Sequence, residues 1–204
     1  MKSYSYQGQD LFAYYMNKGK VGYFLDIGCN PSRTKGTGSN SKLLELEGWY
    51  GLLFDIAHGD STISRKHARR RLNKVIRIDC TTVEFRDLLI RYVPKNVDYI
   101  SLDIDQGSVD CLKQIIFAEI KFKTMTIEHD FYRHGDSLRS KQRELLTKNG
   151  YRMLFEDVTL PKREGAPWED WWINPAYFSE NVYNNIGGKN LTWEECVERV
   201  KLYD

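Results

Sequence analysis

Acidic residues recur at one position in the pattern of this 204-residue chain: each ends one of five short apolar segments. The five residues are Asp26, Asp55, Asp79, Asp103 and Glu128. Short apolar segments with turn residues after them are typical of buried strands. Because the carboxyl ends of parallel strands lie at one edge of a sheet, where ligands of open α/β folds bind, these acids predict a polar, partly anionic cleft.

The first acid lies two residues before a glycine, Gly28, at a turn where the backbone could approach a bound nucleoside. The residues that follow lack the G-x-G-x-x-G spacing of a pyrophosphate cradle, and the chain has no Walker-type loop. A nucleoside without a phosphate tail therefore fits better, which favours S-adenosylmethionine over NAD or ATP. Asp55 would accept hydrogen bonds from its ribose, and Asp79 could reach the adenine amino group. Each acid taken alone could also be a solvated strand end.

Strand-like and helix-like segments alternate along almost the whole chain, which predicts helices on both faces of a mostly parallel sheet. We expect strands over 21–28, 49–56, 75–80, 97–103 and 124–128, and helices over 9–18, 41–47, 81–92, 109–117 and 137–148. The last two strand segments, 151–158 and 171–173, are joined by a loop too short for a helix. They predict an antiparallel pair that closes one edge of the sheet.

Composition indicates one soluble domain, with 41% hydrophobic and 28% charged residues and a formal charge of +2. We expect a single domain over 1–204, with a core over about 20–178 and a helical tail over 190–204. No apolar run reaches the roughly 18 residues of a membrane span, and the N-terminus lacks a secretory signal, which predicts a cytoplasmic protein. The cysteines show no zinc-ligand spacing, so reduced thiols are expected.

Seven short motifs occur in a fixed order along the chain. They are YQGQDLF at 6–12, GYFLDIG at 22–28, SNS at 39–41, GWYGLLFD at 48–55, DYISLDID at 98–105, IEH at 127–129 and DWWIN at 170–174. In their order and strand placement, they resemble the FkbM family of S-adenosylmethionine-dependent methyltransferases. The resemblance implies a class I methyltransferase fold, which is a three-layer, Rossmann-like α/β sandwich. It also implies a seven-stranded sheet with the last strand antiparallel, and O-methyl transfer.

The chain departs from the family pattern at two places near the expected donor site. The family usually has glutamate and proline where this chain has Asp55 and Ile56, which makes the ribose carboxylate one methylene shorter. Relative to the family pattern, one residue is added between Asp103 and Gly107, so the turn beside the methyl donor would differ. The candidate cofactor contacts are Asp26, Gly28, Asn30, Ser39, Asn40, Asp55, Asp79, Cys80 and Asp103.

Methyl transfer to a hydroxyl requires an aligned acceptor and a group that takes its proton. His129 is the first candidate for this base, because a neutral imidazole accepts a proton near pH 7 and Glu128 or Asp130 could stabilise the resulting cation. Alternatively, His129 only ends the fifth strand. Asp103 is the second candidate, either as the base or as a contact to the methionine end of the donor. The candidate catalytic set is therefore His129, Asp103 and Glu128.

The same carboxylates allow a metal alternative. Asp103, Glu128 and Asp130, with Asp105 nearby, could supply oxygen ligands to Mg²⁺, which would lower the pKa of an acceptor hydroxyl. The rival explanation is that these groups hydrogen-bond the cofactor directly.

Candidate acceptor contacts are Asp105, Asp130, Trp171 and Arg69. Tryptophan beside carboxylates suits a sugar or other small-molecule acceptor, although strand alternation would bury one of Trp171 and Trp172. Arg69 belongs to a basic segment over 65–77, which is either a solvated helix or a surface for a phosphate-bearing partner. The second interpretation allows two alternatives: an RNA methyltransferase, or a non-catalytic module that binds nucleic acid or glycan.

Overall fold

A computed structural model describes residues 1–30, 38–57, 71–160 and 165–203. Their strands form one eight-stranded sheet in the order β3-β2-β1-β4-β5-β7-β6-β8. The strands are β1 (Tyr23–Ile27), β2 (Tyr50–Phe54), β3 (Lys74–Ile76), β4 (Asn96–Leu102), β5 (Lys121–Glu128), β6 (Arg152–Leu160), β7 (Ala166–Ile173) and β8 (Gly188–Lys189). The predicted α/β fold class is confirmed, and β8 adds a short eighth strand.

The antiparallel strand is β7, which pairs with β5 on one side and with β6 on the other. It therefore lies inside the sheet, and β6 and β8 continue the sheet beyond it. The hairpin between β6 and β7 was expected from its short connection, but its insertion beside β5 depends on a pairing between distant segments. The insertion places β7 directly beside the end of β5.

Helices cover both faces of the sheet. They are α1 (Gln9–Met16), α2 (Lys42–Leu46), α3 (Val83–Tyr92), α4 (Ser108–Phe117), α5 (Phe131–His134), α6 (Asp136–Lys148), α7 (Glu180–Ile186) and α8 (Trp193–Lys201), with a short 3-10 helix at Asp105–Gly107. Apolar residues of α3, α4 and α6 pack on one face. Those of α1, α2, α7 and α8 pack on the other. The chain is thus a three-layer sandwich.

Two neighbouring tryptophans show the consequence of covering both faces. Trp171 and Trp172 point to opposite faces of β7 and belong to different core clusters. Trp171 packs against Phe12, with ring centroids 4.7 Å apart, and against Phe155. Both tryptophans are buried, so the placement of Trp171 in the core differs from the expected substrate contact.

The tail helix α8 is part of the packed domain. Its first residue follows Thr192, whose hydroxyl caps the helix in a capping box with Glu195. Cys196, Val197 and Val200 of α8 are buried in the same cluster as residues of α1. This packing holds α1 against one face of the sheet, next to the cavity described below.

Candidate functional site

A cavity of about 260 Å³ lies at the carboxyl ends of β4 and β5, beside the start of α1. Among the described residues that line it, four are acidic and one is basic. The acidic residues are Asp103, Asp105, Glu128 and Glu169, and the basic residue is Arg133. Asn40 also lines the cavity and donates from Nδ2 to Ser101 Oγ at 2.9 Å. The structure thus brings together four residues predicted from sequence: Asn40, Asp103, Asp105 and Glu128.

Gly28 forms the turn that connects β1 to the cavity wall. Its φ is +87°, and a Cβ atom there would lie 1.7 Å from the carbonyl oxygen of Asp103. Around it, Gly28 N donates to Phe54 O and Asp103 N donates to Ile27 O, both at 2.9 Å. The ends of β1, β2 and β4 therefore meet so closely at this turn that only glycine fits.

Asp26 is buried in β1, where it is the register partner of Ser101, a residue of the cavity lining. It accepts a hydrogen bond from Ser41 Oγ, which in turn accepts one from Arg71 Nη2 at 2.7 Å. Burial raises the pKa of Asp26 to about 6, against the lowering effect of Arg71 and Ser41. Arg71 also pairs with the buried Glu45 at 2.7 Å. This arginine of the predicted basic segment is therefore an internal partner of the fold, whereas Arg69 lies outside the described residues.

Three more of the predicted cofactor contacts, Asp55, Asn30 and Asp79, have partners within the fold. Asp55 accepts hydrogen bonds from Asn30 N at 2.9 Å and from Ala57 N at 2.7 Å. Asp79 is exposed, and hydrogen bonds from the backbone and hydroxyl of Thr81 lower its pKa. Asp55, Asn30 and Asp79 are not among the residues that line the cavity.

Two further predicted cofactor contacts have partners within the fold. Ser39 Oγ accepts a hydrogen bond from Lys42 N at the start of α2. The side chain of Cys80 is buried in the core cluster that covers the α3 face of the sheet. Neither residue lines the cavity.

Glu128 is the centre of a cluster of three carboxyl groups. Burial, together with hydrogen bonds and charge repulsion from Asp103 and Asp130, raises the pKa of Glu128 well above its usual range. The pKa of Asp130 shifts in the opposite direction. Burial raises it, but hydrogen bonds with Glu128, Tyr132 and Arg133 bring it below its usual value. These surroundings favour the protonated form of Glu128, which can donate a hydrogen bond within the cluster.

Glu169 on β7 is a functional candidate that sequence reasoning missed. It lies opposite Glu128 in the β5–β7 register. Its oxygens accept hydrogen bonds from Gln9 Nε2 at 3.1 Å and Trp171 Nε1 at 2.7 Å. Burial is the main cause that raises its pKa to about 8. The pairing of β7 with β5 places Glu169 at the cavity, and no local sequence pattern indicates that pairing.

Five more cavity residues that sequence reasoning missed come from three segments away from the carboxyl ends of β4 and β5. They are Tyr6 and Gln9 at the start of the chain, Tyr132 and Arg133 in α5, and Trp168 in β7. The YQGQDLF motif could have indicated the first pair, because it places polar residues immediately before a helix that packs near the sheet.

His129 is fully enclosed on the opposite side of β5 from the cavity. Its Nδ1 accepts a hydrogen bond from Phe131 N at 3.3 Å. Its Nε2 lies 3.7 Å from one oxygen each of Asp157 and Asp170. Arg143 holds both carboxylates, at 2.7 and 2.8 Å. This placement differs from the expected catalytic base, because the imidazole has no path to an acceptor in the cavity.

The structure does not support the predicted magnesium site. Among the described residues, two groups bring three potential ligand atoms within 4.8 Å of one another: Asp105, Asp130 and His134, and His129, Asp157 and Asp170. The predicted set of Asp103, Glu128 and Asp130 is not one of these groups. In both groups an arginine already pairs with the carboxylates, namely Arg133 in the first and Arg143 in the second.

The described part of the chain contains no helix with the length and apolarity needed to cross a membrane. A sequence search of curated proteins finds no match to the chain. Comparison with solved structures finds similar folds.

One similar structure is a TehB-like SAM-dependent methyltransferase from Corynebacterium glutamicum, with 14% identity, a TM-score of 0.52, and coverage of 81% of this chain and 87% of that chain. Another is an O-methyltransferase from Bacillus cereus in complex with SAH, with 13% identity, a TM-score of 0.52, and coverage of 81% and 78%. The architecture, with its cleft at the carboxyl ends of β4 and β5, is that of a class I methyltransferase.

The methyltransferase FkbM domain model matches residues 7–153. The chain belongs to this family, which confirms the resemblance given by its motifs.

Proposed function

We propose that the chain is an S-adenosylmethionine-dependent methyltransferase that methylates a hydroxyl group of a sugar or another small molecule. The observation that carries the proposal is the cluster of Asp103, Glu128 and Asp130 beside the Gly28 turn, in a chain of the FkbM family. The B. cereus O-methyltransferase in complex with SAH supports both the donor and the type of transfer.

The donor carries positive charge on its sulfonium and its amino group, and the carboxylates of Asp103 and Asp105 in the cavity lining favour a cation. Asn40 would hold its methionine end, beside Gly28. Asp55 would accept hydrogen bonds from the ribose, because its oxygens retain acceptor capacity beyond the two backbone donors they already bind. Asp26, Asn30, Ser39, Asp79 and Cys80 remain predicted contributors to this side of the site.

The bound donor supplies an electrophilic methyl group. Asp103 would take the proton of the acceptor hydroxyl as its oxygen forms a bond to the methyl carbon, while the carbon–sulfur bond breaks and its electron pair stays on sulfur. The protonated form of Glu128 would donate a hydrogen bond to Asp103 and so orient that carboxylate. Asp105, Asp130 and Arg133 lie at or near the cavity and would contact the acceptor.

His129 remains in the proposal as a positioning residue. Its Nδ1 accepts the hydrogen bond of Phe131 N, and Asp130 lies between these two residues in the turn after β5. Gln142 Nε2 donates to Glu128 O at 3.0 Å and supports the same turn from α6. The imidazole would thus act on the reaction through the position of its neighbours.

Calorimetry with S-adenosylmethionine tests the donor, and release of S-adenosylhomocysteine in the presence of glycan and small-molecule acceptors tests the transfer. We expect Asp103→Asn to reduce transfer by about 100-fold or more and to change donor affinity far less. Asp110→Asn, an exposed residue of α4 paired with Lys113, is the matched control and should leave both unchanged. Failure of the folded wild-type protein to bind the donor would reject the proposal.

Two results would assign a different function. A short RNA that accepts methyl groups and binds with a steep salt dependence would identify an RNA methyltransferase. Donor binding without transfer to any acceptor would identify a non-catalytic module.

A further inference from the structure

We propose that residues 3–8, here called the N-terminal strap, form a cover over the donor cavity that the buried carboxylate of Asp10 sets in place. Within the strap, Tyr6 would be the residue that contacts the bound donor. The proposal rests on the proposed function, because it assumes that the cavity binds S-adenosylmethionine.

The carboxylate of Asp10 organises the strap. Asp10 is fully buried in the first turn of α1. Its Oδ1 accepts hydrogen bonds from Ser3 Oγ at 2.6 Å, Ser5 Oγ at 2.9 Å and Leu11 N at 2.9 Å. Its Oδ2 accepts from Tyr4 N at 2.7 Å and Ser5 N at 3.2 Å. Chain ends usually fray, but four of these five hydrogen bonds come from the strap and give it one conformation.

The strap is joined to the loop that carries a cavity residue. Tyr4 O accepts hydrogen bonds from Gly38 N at 2.7 Å and Ser39 N at 3.0 Å. Gly38 has a φ of +88°, and a Cβ atom there would lie 2.4 Å from the ring of Tyr6. The ring therefore packs directly on the backbone that leads to Asn40. A displacement of the strap would move this loop as well.

The other end of the strap is fixed on α8. Gly8 has a φ of +70°, and a Cβ atom there would lie 2.4 Å from the ring of Trp193. In between, Gln7 N donates to Gln9 Oε1 at 3.0 Å, and Gln9 Nε2 donates to Glu169. The strap is thus held at Asp10, at the Gly38 loop and at α8, while Tyr6 lies between these points.

Tyr6 lines the cavity and leaves 53% of its surface exposed. A large aromatic ring at the rim of an acidic cavity gives a cation two favourable surroundings: the carboxylates below it and the negative face of the ring. The sulfonium of the donor is such a cation, whereas the thioether of S-adenosylhomocysteine is neutral. The geometry therefore predicts that Tyr6 favours the donor over the product and limits water access to the transferred methyl group.

The direct test measures the dissociation constants of S-adenosylmethionine and S-adenosylhomocysteine by calorimetry. Tyr6→Ala should weaken donor binding about fivefold to tenfold and product binding less, because only the donor carries the sulfonium charge. Tyr6→Phe keeps the ring and should bind like the wild type. Tyr50→Ala is the matched control, since Tyr50 is also exposed but lies at the amino end of β2, away from the cavity.

Hydrogen exchange tests the strap itself. The amides of residues 3–8 should gain protection when S-adenosylhomocysteine is added, and Asp10→Asn should reduce that protection together with donor affinity. If Asp10→Asn does not fold, the Tyr6 series still decides the question. Donor binding by the wild type with equal affinity in Tyr6→Ala, or strap amides that are unchanged by ligand, would overturn this proposal alone. Absence of donor binding by the wild type would overturn it together with the proposed function.

Discussion

Replacement of Gly28 by alanine tests how the end of β1 supports the cavity. The backbone φ of +87° is unfavourable for alanine by about 1–2 kcal/mol. In addition, the new Cβ would lie 1.7 Å from Asp103 O, so the ends of β1 and β4 would have to separate by more than about 1 Å to reach a contact distance that real structures tolerate. Such a separation lengthens the 2.9 Å hydrogen bond from Asp103 N to Ile27 O beyond its useful range.

The loss of this buried hydrogen bond adds about 1–3 kcal/mol. We therefore expect Gly28→Ala to lower the free energy of unfolding by about 2–5 kcal/mol in total. Gly150→Ala is the matched control, because Gly150 has a φ of +83° with no atom within 4 Å of its added Cβ. It should lower the stability by only about 1–2 kcal/mol.

Urea unfolding followed by circular dichroism measures both changes. A shift of Asp103 by about 1 Å should also reduce methyl transfer by about 100-fold in any Gly28→Ala protein that folds. Equal destabilisation by the two substitutions would refute the reasoning, because the contact with Asp103 would then contribute nothing.

Three further predictions concern groups around the cavity. In the folded state the pKa of Glu169 is raised to about 8, so folding favours its protonated form. The free energy of unfolding should therefore fall as the pH rises from about 4.5 to 8. Urea titrations at several pH values should show a smaller fall for Glu169→Gln. Arg143→Met removes the charged partner of the buried carboxylate of Asp170 and should lower the free energy of unfolding by about 3–5 kcal/mol. Arg152→Met is the control, because Arg152 pairs with an exposed glutamate, and it should cost less than about 1 kcal/mol. Equal losses in the two variants would contradict this prediction. His129→Asn should retain donor binding and lower the rate of methyl transfer, but the pH dependence of that rate should stay the same, since the imidazole is enclosed. If one ionisation disappears from the pH–rate profile of the variant, His129 is the base after all.

The sequence predicted those parts of the site that depend on local patterns. Apolar segments end at Asp103 and Glu128, and the structure places both at the carboxyl ends of neighbouring parallel strands. Gly28 was predicted because it forms a turn after a strand, where the backbone could approach a nucleoside. In the structure, a close contact within the protein is what requires glycine at this position. The close neighbour of Gly28 is the backbone of Asp103, which is 75 residues away in the chain and therefore invisible to a local pattern.

The direction of a side chain after a strand was harder to predict. Glu128 and His129 are adjacent, but successive residues of a strand point to opposite faces, so a glutamate that lines the cavity directs the next residue to the α6 side. This alternation would have separated the two candidates, had the face of the cavity been known. That face is set by α1 and by the insertion of β7, both of which depend on tertiary packing.

The outer strands of the sheet have a consequence for handling the protein. Within the described residues, the sheet ends in β3, which has three residues, and in β8, which has two. Short outer strands expose few unpaired backbone groups for pairing with another molecule. The long strands that build the cavity, β4 and β5, are instead paired on both sides. We therefore expect concentrated solutions to resist edge-to-edge aggregation as long as the native sheet persists.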